Sequence, residues 1–220
     1  MRARKNMYSL MLSEDVVAMI DRLAYQKKSN RSNMINQILA EYVSYRTPEM
    51  RLREIFGQME RALCTEDGFQ RMDASSDSVF SLRSALTYKY NPSVRYTVEL
   101  YKSDELPELG RLRVSLRTQN AALILYLQQF YRLWMTLEGE SDGQSAPHSI
   151  DGDRLTRTLR LQADRELHGE VAVGELIARY VDVFDRALKL YFEHLDEPET
   201  AKEGIGWLIE QYREQNPVRV

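Results

Sequence analysis

The stretch "KNMYSLMLSEDVV", residues 5–17, decides how the chain begins. For about seven residues its side chains alternate with the period of a strand. One face carries Tyr8, Leu10 and Leu12, and the other carries Met7, Ser9 and Met11. The pattern then changes. Ser13 is a good N-cap, and Glu14 and Asp15 put carboxylates at the positive end of a helix that runs to about Gln26. Val16, Val17, Ile20, Leu23 and Ala24 fall on one stripe of that helix.

Outward from this stretch, "KKSNRSN" interrupts the helix, and Asn30 is the expected cap of a second one reaching about Tyr45. Its apolar stripe is Met34, Ile35, Ile38, Leu39, Tyr42 and Val43. A strand and two helices bury too little surface to form a core alone. The strand's backbone groups also need a ladder partner. Two copies meet both needs by pairing their strands antiparallel about a two-fold axis, with four helices closed over the inner face. The expected dimer core is then Tyr8, Leu10, Leu12, Ile20, Leu23, Ile35, Ile38, Leu39 and Tyr42.

Charge separates this head from the remainder. Residues 1–46 hold eight lysines and arginines against four acids, a net +4 in a chain of net −3, so the remainder carries −7. A basic head on an acidic body fits a head that meets an anion.

The ordered elements "YSLMLSEDVVAMIDRLA" and "NRSNMINQILAEYV" resemble the ribbon-helix-helix family of DNA-binding repressors, the Arc/MetJ-like group. The resemblance covers residues 5–45, about a fifth of the chain. It implies that a two-stranded ribbon enters the major groove of double-stranded DNA with Met7, Ser9 and Met11 facing base edges. It also implies that the start of the second helix, capped by Asn30, offers the backbone N–H groups of Arg31, Ser32 and Asn33 to a phosphate. Arg2, Arg4 and Lys5 would add salt-sensitive phosphate attraction. The sequence departs from the family pattern twice. Two of the three outward residues are methionines, which have no hydrogen-bond donor, so Ser9 is the only polar reader. Lys28 stands where a glycine often ends the first helix.

The remainder, 47–220, is expected to be a larger domain, making the whole chain α+β. Thr47-Pro48 ends the second helix, and an amphipathic helix follows to about Cys64. "TEDGFQRMDASSDS" is expected to be a loop. Strands are predicted over 79–90, 94–101 and 111–117, an antiparallel meander with one buried face. Its other face, with Arg83, Lys89, Arg95, Arg111, Arg113 and Arg117, is expected to be an ordinary solvated face. An apolar helix over 120–138, a flexible acidic linker over 139–153 and a fourth strand over 154–162 come next. A long helix from about Val171 to His194 and a last helix from Pro198 complete the chain.

Several function classes find no motif. No apolar run has the length of a membrane span, and the basic start does not lead into a signal peptide. The single cysteine, Cys64, forbids an intrachain disulfide and fits a cytoplasmic, reducing compartment. His148, His168 and His194 lie far apart, so the clustered His/Cys site of nickel-responsive members of the family is absent and no metal or cofactor is expected. There is no phosphate loop or nucleophile elbow, so no catalytic residues are expected. The expectation is a dimeric transcriptional repressor whose body supplies oligomer contacts, an effector pocket or a protein-partner surface. The alternative is a dimerising interaction protein, such as an antitoxin or plasmid-maintenance adaptor, which the methionine-bearing ribbon face favours.

Overall fold

A computed structural model describes residues 7–45, 47–65, 68–73, 76–89, 91–102, 108–142, 148–160 and 170–216. The chain forms two compact units, Met1–Arg51 and Leu52–Val220. The division falls within a helix, Pro48–Leu63.

The first unit contains α1 (Glu14–Gln26) and α2 (Arg31–Tyr42). Among the described residues, 7–13 before them join no strand ladder. Ile20 and Ala24 from α1 pack on Met34 from α2, with Ile35 half-buried against them. This is a very small core. Helix α2 ends earlier than its apolar pattern predicted, because Ser44 turns into the left-handed region at φ 55° and the Tyr45 N–H bonds back to Ala40 O. Helix α3 (Pro48–Leu63) carries the chain from the first unit into the second.

The second unit is a six-stranded antiparallel sheet, backed on one face by helices. The strands are β1 (Gln70–Met72), β2 (Val79–Ala85), β3 (Ser93–Leu100), β4 (Glu108–Leu116), β5 (His148–Asp151) and β6 (Arg154–Arg160), in the order β1-β2-β3-β4-β6-β5. The meander and the strand at 154–160 match the alternation read from the sequence. Two strands do not: β1 falls in the expected loop and β5 in the expected linker. Strand β2 also stops at Ala85, well short of residue 90, where Leu86 N–H closes a turn onto Pro92 O at 2.9 Å.

The inward side chains Leu82, Val94, Tyr96, Val98, Leu112, Val114, Leu155 and Leu159 join one core with α3, α4 (Ala121–Asp142), α5 (Glu170–Glu193) and α6 (Pro198–Gln215). Its centre is aromatic. Phe184 of α5 meets Trp134 edge-on at 4.9 Å and Phe130 at 5.3 Å, both from α4, while Phe56 of α3 stacks on Phe80 of β2 at 5.5 Å. Phe130, Tyr131 and Trp134 have essentially no solvent contact, so side chains fill the junction of α4 with the sheet. Gly174 lets α5 approach α3 closely: a Cβ there would lie 2.6 Å from Ile55 O. Among the described residues, no helix is long and apolar enough to cross a membrane.

Candidate nucleic-acid interface

The head is built by its caps. Ser13 has the extended backbone of an N-cap but makes no side-chain cap hydrogen bond, leaving Glu14 and Asp15 to oppose the dipole of α1. Asn30 is a full cap: its Oδ1 accepts from the Asn33 N–H at 2.9 Å, and its O accepts from Met34 N–H at 3.0 Å. Between them Lys28 takes φ 49°, the left-handed conformation usually left to glycine, and closes α1 through its N–H to Tyr25 O.

An exposed two-pronged ion pair links the two helices. Arg31 Nε and Nη2 donate to Asp21 Oδ1 and Oδ2 at 2.7 and 2.5 Å. The Arg31 hydrogen bond holds the Asp21 carboxyl below its ordinary range. The Arg31 guanidinium is therefore engaged within the head. The Arg31 and Ser32 N–H groups, by contrast, make no hydrogen bond among the described residues. The Asn33 N–H expected beside them is spent on Asn30.

The residues expected to read bases and to form a dimer core separate by exposure. Met7 and Met11 are 97% and 103% exposed, whereas Tyr8, Leu10 and Leu12 are 79%, 61% and 42%. The even-numbered side chains are thus increasingly sheltered toward α1, while the odd-numbered face stays in water. Ser9 is exposed with its methionine neighbours. Ile20 is already buried and Ile35 half-buried within one chain. Leu23, Ile38, Leu39 and Tyr42 are exposed, as are Val16, Met19 and Val43. So many large apolar side chains in water, on a unit with hardly any interior, exceed the usual scatter of surface residues. The phosphate contacts expected of Arg4 and Lys5, with Arg2, lie outside the described residues.

The second unit contains buried polar groups that sequence reasoning did not bring together. Glu138 of α4 receives Arg157 Nε and Nη2 of β6 at 3.0 and 2.7 Å on one oxygen. Its other oxygen accepts from Trp134 Nε1 at 3.1 Å and Tyr180 OH at 3.2 Å, and lies 3.0 Å from His148 Nε2. The Arg157 guanidinium also stacks on the Tyr180 ring at 4.1 Å. A second cluster centres on Asp185 of α5, which accepts from Tyr96 OH at 2.8 Å and Ser84 Oγ at 3.0 Å and pairs with Lys189 at 2.7 Å. Both carboxylates are sealed from water and saturated with partners, the signature of structural networks that dock helices onto the sheet. Cys64 is half-buried, and burial pushes its thiol up. Among the described residues, no group of three or more His, Cys, Asp or Glu side chains is placed to hold a metal ion.

Comparison of the chain with family models, with curated proteins and with solved structures found no match in any of the three.

Proposed function

We propose that the chain is a dimeric DNA-binding transcriptional regulator, a repressor, in which two copies of residues 5–12 pair as an antiparallel ribbon that enters the major groove. One observation carries this reading: a unit with almost no interior presents Leu10, Leu12, Leu23, Ile38, Leu39 and Tyr42 to water, and the period of a strand would turn Met7, Ser9 and Met11 away from Leu10 and Leu12. A second copy would cover the first group and leave the second outward. Each copy then presents the N–H groups of Arg31 and Ser32, unpaired among the described residues, at the positive end of α2, where a phosphate oxygen is the natural acceptor. The ribbon reads bases weakly, through Ser9 and through methionine contact with thymine methyl groups, and the phosphates supply most of the affinity.

The test is binding of the full chain to random duplex DNA and to the region upstream of its own gene, at two salt concentrations. Ser9→Ala is expected to reduce the preference between the two DNAs. Arg31→Pro and Arg31→Ala isolate the backbone contact, since both remove the guanidinium and only proline removes the N–H. The extended backbone of Asn30, φ −108° and ψ 161°, accepts a following proline. Proline is expected to weaken binding to every sequence several-fold beyond alanine. Equal binding by the two variants would remove the phosphate from the start of α2.

A second reading has its own support. Met7 and Met11 are fully exposed and lack donors, which suits contact with a protein surface. A chain that dimerises and ignores all DNA would favour this interaction protein.

A further inference from the structure

The face of the sheet turned away from the helices was expected to be an ordinary solvated surface. Strand register shows an organised one. Directly opposite positions run Gln70, Arg83, Arg95, Ser115, Arg154 and Asp151 across all six strands. Arg83 and Arg95 are immediate cross-strand partners. Like charges placed this way repel and weaken a sheet. The neighbouring charges are neutralised: Arg113 lies 3.8 Å from Glu99, and Arg160 pairs with Glu108 at 2.9 Å. The row is not. Arg83 donates only to the neutral Gln70, at 2.8 Å, and among the described residues no carboxylate pairs with Arg95, Arg117 or Arg154. These arginines border a shallow depression of about 420 Å³ that also takes in Ser93 and Ser115, with Asp153 the one acid on its rim.

We propose that this row is a binding surface for the phosphate backbone of a nucleic-acid duplex. An anion spanning Arg83 and Arg95 removes the repulsion between them. From Arg83 to Arg154 the row crosses three strand spacings, about 14 Å, which matches about four base-pair rises along one DNA strand. The guanidinium fork and the serine hydroxyls are the donors that phosphate oxygens take. No outward position of these strands carries an aromatic ring, and the nearby Tyr101 ring is covered by the Arg111 guanidinium at 6.0 Å. Unpaired bases therefore have no stacking platform here. For a peptide the depression offers the half-buried Met72 and the buried Val94 but no aromatic side chain as an anchor. The inference does not rest on the head contacting DNA.

The test uses the full chain with Arg83→Gln, Arg95→Gln and Arg154→Gln combined, its lysine counterpart at the same three positions, and a labelled random-sequence duplex. Each arginine–phosphate contact adds about 0.9 to the slope of log affinity on log salt. The glutamine variant is expected to lose about 2.7 of slope. Between 50 and 200 mM salt the parent's affinity should therefore fall about 40-fold more than the variant's. The lysine variant is expected to keep the parent slope. Thermal stability of the glutamine variant should match or exceed the parent's, because the Arg83–Arg95 opposition is gone. An unchanged slope in the glutamine variant overturns the proposal, as does a lysine variant that loses as much as glutamine. Loss of poly-glutamate binding with duplex binding intact also overturns it. Equal binding by Arg31→Pro and Arg31→Ala, together with a lost slope in the glutamine variant, would remove the phosphate from the start of α2 and leave this proposal standing.

Discussion

Replacing Leu10 by alanine tests the head most directly. Leu10 is 61% exposed in the single chain, so a second copy covering it would bury somewhat more than half of a leucine side chain. Full burial of such a side chain is worth about 2 kcal/mol, which makes the lost contribution roughly 1.2 kcal/mol per copy. A two-fold dimer loses it twice, roughly 2.5 kcal/mol, or about 60-fold in the dissociation constant. Any unfilled cavity at the seam adds to this. Sedimentation equilibrium over a concentration series measures the constant. Met11→Ala is the internal control, because Met11 is 103% exposed and faces away from Leu10 along the strand period. It is expected to leave association unchanged. If Met11→Ala weakens association as much as Leu10→Ala, the two faces have been assigned the wrong way round. If the parent chain sediments as a monomer at every concentration, the seam does not exist.

Two other predictions concern folding. Burial alone would raise the Glu138 carboxyl, but the His148 hydrogen bond and the Arg157 charge outweigh it and bring its pKa from 4.5 down to about 2. A lowered pKa contributes stability that is complete above about 4.5 and lost as pH falls toward 2, so urea unfolding at pH 3 should show roughly 2 kcal/mol less stability from this group than at pH 6; Glu138→Gln should abolish that component while being less stable at both. Lys28→Gly should stabilise the α1–α2 pair by about 0.5–1 kcal/mol, because glycine adopts a positive φ without the Cβ clash, and slower amide exchange in both helices would report it.

The parts that were legible in the sequence are those whose signal is local. Asn30 announces the start of α2 because a cap needs only its own turn. Val94, Tyr96 and Val98 announce β3 because alternation needs only its own strand. Strand β1, with three residues, is too short to show a period, and His148-Ser149-Ile150-Asp151 has the composition of a loop although His148 and Ile150 turn inward. Ser84 interrupts the apolar alternation of β2 because its partner, Asp185, is a carboxylate 101 residues away. The individual arginines of the outer face were visible one by one, but their alignment depends on register, which is settled by neighbouring strands. The segment before α1 is a limiting case: its alternation is plain in the sequence, yet among the described residues 7–13 join no ladder.

The sheet ends in very short borders, three residues in β1 and four in β5. A neighbour seeking to add a strand finds almost no ladder to extend. Growth by strand addition therefore finds little purchase at either margin of the body.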